Sequence, residues 1–403
     1  MRILWILPYL PWPTTSGGKT RQYHLLRSLA ERGHAITLLV QSKTPLDEEA
    51  RAQLEPLLER LIVLPRRALK HPLSLAAALF APWPLMTTVN GMSGALKKQF
   101  AELMQESWDV IQVEHSYTFE PYAACLKQQQ RAFVLTEHNL ESALGAATYD
   151  RFPAWLNLFV RYDQWRARRW EQKVFNQASR VIAVTPADAL AIGAITRSPV
   201  DIVVNGVDCR AFSQVQADSS SQRLLFVGNY EYAPNVDAVH WALDEVMPLL
   251  WQRCPEARFA VAGYALPASW AQRWPDPRIE WLGFVPDLQA LQARSAVFFA
   301  PLRHGGGSKL KVLEALAAGL PLVSTAQGVS GLQVSAGHDY LAGESSRELA
   351  EALATLLTDP TLAAQLAANG RRYVNQHHDW QAAASQLEAV YRQLPHKDNL
   401  ACA

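Results

Sequence analysis

Short apolar runs alternate with longer stretches in which apolar residues recur every three or four positions, and the alternation continues along most of the chain. The runs predict buried strands at 2–10, 35–40, 61–64, 110–113, 133–136, 181–184 and 201–204. A second series follows at 224–228, 259–263, 279–283, 296–300 and 320–324. The stretches between them predict helices, among them 22–31, 236–251, 288–294, 346–358, 361–375 and 379–394. Strand–helix repetition of this kind implies an α/β fold with parallel, doubly wound sheets and ligands at the carboxyl ends of the strands. The polar, serine-rich stretch 213–222, SQVQADSSSQ, breaks the pattern and is the best linker in the chain.

Composition fits this division. A chain of 403 residues is long for one core, and 49% hydrophobic residues suffice for two. A net charge of +1 excludes a strongly basic nucleic-acid binder, although 23 Lys and Arg face 18 Asp and Glu up to residue 205 and 15 face 19 beyond it. Four cysteines without a CxxC motif predict a reducing, cytoplasmic location and no zinc site. The opening MRILWILPYL contains Pro8 and lacks a small-residue cleavage site, so it reads as a first strand rather than a signal peptide. No apolar stretch of 18 residues exists to span a bilayer. The apolar segment 73–81, fenced by Pro72, Pro82 and Pro84, fits a buried helix or a contact with lipid.

The densest chemistry lies at 300–319, APLRHGGGSKLKVLEALAAG, where an apolar strand, three glycines and a helix follow one another. Gly305, Gly306 and Gly307 let the backbone approach a ligand, and the unpaired amides and dipole of the first helical turn favour an anion. Lys309 adds a positive charge in that turn, where only an anionic partner makes it favourable. Glu314 is a carboxylate in an apolar run closed by Gly319 and calls for a dedicated partner. A tight turn with a solvated lysine and an exposed glutamate is the bland alternative. Gly17-Gly18-Lys19-Thr20 is not a P-loop, because Pro13 occupies the required first glycine. Gly17 and Gly18 either sit beneath a diphosphate or acceptor or simply connect a strand to a helix.

His138 follows the 133–136 strand and is expected at a strand end, where an imidazole can donate to a sugar hydroxyl or a leaving oxygen. Glu114 and His115 hold the equivalent place after 110–113. His377-His378 reads as a surface turn rather than a metal pair. Arg161, Arg166, Arg168 and Arg169 interleave with Trp155, Phe159, Trp165 and Trp170. Such a helix either lies on an anionic membrane or packs its tryptophans inward with a solvated basic face.

The motifs ERGHAITLLV, TEHNLES, VVNGVDCRAF, LLFVGNYEYAPNVDAV, IEWLGFVPDLQAL, APLRHGGGSKLKVLEALAAGLPLVST and HHDWQAAASQLEAVYRQL resemble, in order and spacing, the retaining glycosyltransferases of family 4. The resemblance implies a GT-B fold of two Rossmann-like domains facing a cleft. An acceptor domain at 1–205 would be completed by the C-terminal helix at about 379–394, and a donor domain would occupy 206–378. It also implies transfer of a sugar from a nucleotide-diphosphate donor to a glycan, lipid-linked or small-molecule acceptor, with no cofactor or obligatory metal. The cysteine usage and the basic aromatic helix are consistent with a cytoplasmic protein that is either free or in peripheral contact with the inner membrane face.

Three positions depart from the family pattern. Of its paired glutamates, Glu314 matches the one that looks like the ribose ligand, whereas Gly306 replaces the other. The Arg and Lys that hold the diphosphate are replaced by Asn229 and Asn235, just after Gly228. The charge then falls to Lys309 and the Gly305–Ser308 amides, assisted by Lys311 or Arg303, with the base near Phe284 and Val285. His138 would act on the transferred sugar, and Lys309 and Glu314 complete the expected catalytic set. A sugar-nucleotide epimerase and a non-catalytic sugar-nucleotide binding protein fit the same architecture.

Overall fold

The computed structural model describes residues 1–43, 45–66, 81–91, 93–140, 142, 157–305 and 309–395. Two compact units emerge. The first comprises Met1–Thr14, Gly18–Val204 and Ala384–Ala403, and the second Thr15–Gly17 and Asn205–Ala383.

In the first unit the strands β1 (Arg2–Leu7), β2 (Ala35–Ser42), β3 (Arg60–Pro65), β4 (Val110–Glu114), β5 (Val134–Glu137), β6 (Arg180–Ala183) and β7 (Val200–Ile202) form one parallel sheet. Its order is β3-β2-β1-β4-β5-β6-β7. The inner strands are buried on both faces, which explains why they read as runs rather than alternations. The chain winds outward from β1 and then returns to place β4 beside it, so a crevice opens at the carboxyl ends of β1 and β4.

The second unit repeats the plan with β8 (Arg223–Val227), β9 (Arg258–Ala262), β10 (Ile279–Gly283), β11 (Val297–Ala300), β12 (Leu322–Ser324) and β13 (Leu341–Ala342) in the order β10-β9-β8-β11-β12-β13. Its switch point lies between β8 and β11.

Several expectations need correction. Helix α1 runs from Gly17 to Glu31, so Gly17-Gly18-Lys19-Thr20 is its first turn and not a loop before it. The helix expected at 236–251 is instead α2 (Ala233–Trp241), a π-helical turn at Ala242–Val246 and a further segment, Met247–Arg253. Pro248 has no N–H to give to the preceding turn, and a widened turn accommodates it. Strand β13 is two residues long and carries no pattern to read. His378 is buried, its ring bonded to the Asn205 carbonyl at 2.8 Å and the Tyr373 hydroxyl at 2.9 Å, so it is a core residue and not a surface turn. Apart from Ala81, the apolar segment 73–81 lies outside the described residues.

Candidate active site

At the switch point of the second unit, β8 ends on Gly228 and Asn229, and β11 ends on the loop that leads to α3 (Leu310–Ala317). Gly228 and Gly263 are required to be small. A Cβ on Gly263, at φ +135°, would stand 1.8 Å from the Gly228 carbonyl oxygen, and one on Gly228 would press on Asn235 at 3.1 Å. Asn235, buried in the first turn of α2, therefore packs flat against the end of β8. Its amide donates to the Asn229 carbonyl at 2.8 Å, and its Oδ1 accepts from Lys311 Nζ at 2.5 Å. The Asn229 side chain accepts from the Glu231 amide at 2.9 Å, closing the turn between β8 and α2.

Lys309 is the N-cap residue of α3 rather than part of its first turn, and it is buried. Its ammonium donates to the Gly305 carbonyl at 3.1 Å, which also accepts from Gln327 Nε2 at 2.5 Å. Gly305 adopts φ +118°, a backbone that a side chain would strain, and a Cβ there would meet the Tyr232 hydroxyl at 3.0 Å and Pro234 at 3.1 Å. Gly306, Gly307 and Ser308 lie outside the described residues.

Burial lowers the Lys309 pKa to about 8. Burial and the neighbouring Lys309 charge bring Lys311 to about 7, against the pull of Glu314, and the Lys311 ammonium stands 4.4 Å over the Phe226 ring. Glu314, one turn along the same face, is pushed up to about 7 by burial against the pull of Lys311. Lys309, Lys311 and Glu314 thus lie within electrostatic reach of one another at the head of α3. Arg303 is committed elsewhere: it forms a bidentate pair with Asp237, and its guanidinium lies 5.1 Å from the Trp241 ring centre. Phe284, 63% exposed, and Val285 follow β10, two strands from β8.

In the first unit, His138 follows β5, and its Nε2 lies 2.9 Å from Glu114 Oε2 at the end of β4. Glu114 Oε1 accepts from Trp5 Nε1 at 3.0 Å and Gln112 Nε2 at 2.6 Å. Burial alone would raise the Glu114 pKa, but the His138 bond and the nearby His138, His115 and Arg21 charges outweigh it and hold it at about 2. Burial and His115 lower His138 to about 4 despite Glu114. The pair at neutral pH is a carboxylate and a neutral imidazole. An ionised carboxylate only accepts, so Nε2 carries the ring proton and Nδ1 presents a lone pair. Gly18 makes room there: a Cβ would lie 3.4 Å from His138 Nδ1 and 2.7 Å from the Tyr9 hydroxyl.

His115 sits at φ 66°, an uncommon backbone for a non-glycine residue, with its ring 4.5 Å from that of His138 and 4.9 Å from Tyr117. Behind it Glu137 is wholly buried and accepts from the Ser116 amide and hydroxyl; burial nevertheless raises its pKa to about 7.

Residues 15–211 match Glycosyltransferase Family 4, and residues 221–359 match Glycosyl transferases group 1. The chain carries both glycosyltransferase domains. The glycogen synthase of Mycobacterium tuberculosis is 25% identical over 97% of this chain and 94% of its own. Among solved structures, sucrose-phosphate synthase from Thermosynechococcus elongatus superposes with a TM-score of 0.71 over 98% of each chain at 19% identity. Anabaena HepE, solved with UDP and glucose, superposes with a TM-score of 0.65 over 97% of this chain and 99% of its own at 17% identity. The seven- and six-stranded parallel sheets are those of the GT-B fold. Sequence reasoning missed several members of the glycosyltransferase's polar clusters, namely Trp5, Arg21, Gln112, Glu137 and Tyr391. The legible signal was Gln112 and Glu114 inside VIQVE, two polar residues in a fully buried strand.

Proposed function

We propose that this glycosyltransferase moves a sugar from a nucleotide-diphosphate donor to a hydroxyl of a glycan, lipid-linked or small-molecule acceptor, with retained anomeric configuration and without a metal ion. The observation that carries the reading is the lysine pair at the head of α3. Burial has made both ammonium groups costly, and a diphosphate beside the helix amides would restore their charge. Asn235 replaces a cation of the family pattern yet holds Lys311 through its Oδ1, so a cation still stands at that place. Glu314 takes the ribose hydroxyls, with the base beside Phe284 and Val285.

Neither cluster supplies an evident covalent nucleophile, and the chemistry is same-face displacement. The sugar C1–phosphate oxygen bond breaks as the C1–acceptor oxygen bond forms, and the acceptor proton passes to the departing diphosphate. Lys309, Lys311 and the α3 amides stabilise the charge that develops. His138 Nδ1 accepts a hydrogen bond from a sugar hydroxyl, the role its tautomer permits.

The test is donor consumption in excess chelator, with and without an acceptor extract, and with the product anomer read by NMR. Acceptor-dependent, chelator-resistant transfer with retention supports the reading. Restoration by a divalent ion refutes metal independence, donor rearrangement without acceptor indicates the epimerase, and binding without consumption indicates a non-catalytic protein.

A further inference from the structure

In the first unit the helix Asn157–Phe175 hides its acids and shows its aromatics. Its inner face buries Trp170, Val174 and Phe175 together with a short Asp163–Arg166 ion pair. Trp170 donates to the Ser116 carbonyl at 2.9 Å. The tryptophans therefore divide: Trp170 packs inward, while Trp165 is 49% exposed. Trp155 lies outside the described residues.

The outer face carries Leu158, 82% exposed, Tyr162, 51% exposed, and Trp165 at helical spacing. The Tyr162 and Trp165 rings stack with centres 5.8 Å apart, and the Arg169 guanidinium stands 4.1 Å over Trp165. Arg161, Arg168, Arg169 and Lys173 are exposed around them. Both carboxylates of the helix, Asp163 and Glu171, are buried, so the outer face has four cations and no acid of its own.

We propose that this outer face docks on an anionic phospholipid surface. The charge arrangement selects that occupant. A second copy meeting the same face across a twofold axis would set four cations against four. Anionic lipid headgroups neutralise them instead, and Leu158, Tyr162 and Trp165 enter the interfacial layer, where aromatic rings are favoured. Among the described residues no helix is long and apolar enough to cross a membrane, which suits a protein lying on the surface through this face.

The experiment is flotation of the full chain with phosphatidylcholine vesicles, with and without about one-third phosphatidylglycerol, at low and at high salt. Wild-type protein should float with the anionic vesicles and stay behind with the neutral ones. Arg161→Glu/Arg168→Glu should weaken flotation about tenfold or more, and salt should weaken it too. Tyr162→Ser/Trp165→Ser should weaken it severalfold while leaving the salt dependence in place. All four sites are exposed, and circular dichroism confirms that each variant is folded. No binding to anionic vesicles, or binding equal for all three proteins, overturns the proposal. Self-association lost with Trp165 would overturn it in favour of a second copy, and binding of a dissolved polyanion without vesicle flotation would also overturn it.

Discussion

Glu314 illustrates how one carboxylate is tuned by its place. It lies on an apolar helix, where burial pushes its pKa to about 7 while Lys311 opposes the rise. Above that pH it is an anion able to take two ribose hydroxyls; below it the protonated acid loses charge-assisted bonding. Glu314→Gln is therefore expected to cost roughly 1.5–3 kcal/mol of donor affinity at about pH 8. The wild-type advantage should shrink as pH falls through 7, whereas the variant has no such titration. Calorimetry at several pH values checks this, and an unchanged affinity at pH 8 in a folded variant would leave Glu314 a packing residue. The sequence singled out Glu314 and Lys309 because charge in an apolar or helix-initiating context is legible. It did not show that Lys309 would turn to the Gly305 carbonyl or that Lys311 would meet Asn235, since those contacts join residues 76 positions apart in one case and depend on loop geometry in the other.

At the scale of elements, the helix Trp380–Tyr391 reaches the His138 cluster by a relay. From the part that groups with the first unit, Tyr391 donates to Gln112 Oε1. This fixes the amide so that Nε2 faces Glu114, which in turn bonds His138. Tyr391→Phe should lower stability by about 1–2 kcal/mol, the cost of leaving a buried acceptor unmet. It should also lower kcat and shift the acid limb of the pH–rate profile, with donor KM little changed. A packing role alone would move the melting temperature and leave the profile where it was. The strands were legible because buried parallel strands are continuous apolar runs. The start of α1 was not, because Gly17 and Gly18 are poor helix formers and their turn is helical only in its tertiary setting. The basic aromatic helix was legible in composition but not in facing, which sends Trp165 and Trp170 to opposite sides.

For the whole molecule, the titrating groups pull stability in opposite directions. His138, ordinarily near 6.5, is held at about 4, so the unfolded chain takes up a proton between those values that the folded chain does not. Its contribution is complete above 6.5 and is lost as pH falls toward 4, and Glu114 adds a loss from 4.5 toward 2. Glu137 and Glu314, raised to about 7, pull the other way and favour the folded state as pH falls below 7, so the His138 term is read by difference: the melting-temperature advantage of the wild type over His138→Asn should shrink between pH 6.5 and 4. A slope unchanged by the substitution would deny His138 its buried neutral state. Lys309 and Lys311 act with the same sign as His138 in a higher window: their folded values of about 8 and 7 lie below the ordinary 10.5, so stability rises with pH across that interval unless an anion is bound. This linkage supplies the most direct test of the central claim that the lysines at the head of α3 receive the donor diphosphate. Nucleoside diphosphates are titrated into the full chain at about pH 8.5 in excess chelator, where the diphosphate is already ionised and both lysines have largely given up their protons. Calorimetry in two buffers of different ionisation enthalpy then reads the protons exchanged. The account predicts binding of at least one nucleoside diphosphate with net proton uptake, and a marked loss of both affinity and uptake in Lys309→Ala. Binding without uptake, or the same uptake in the variant, would contradict it.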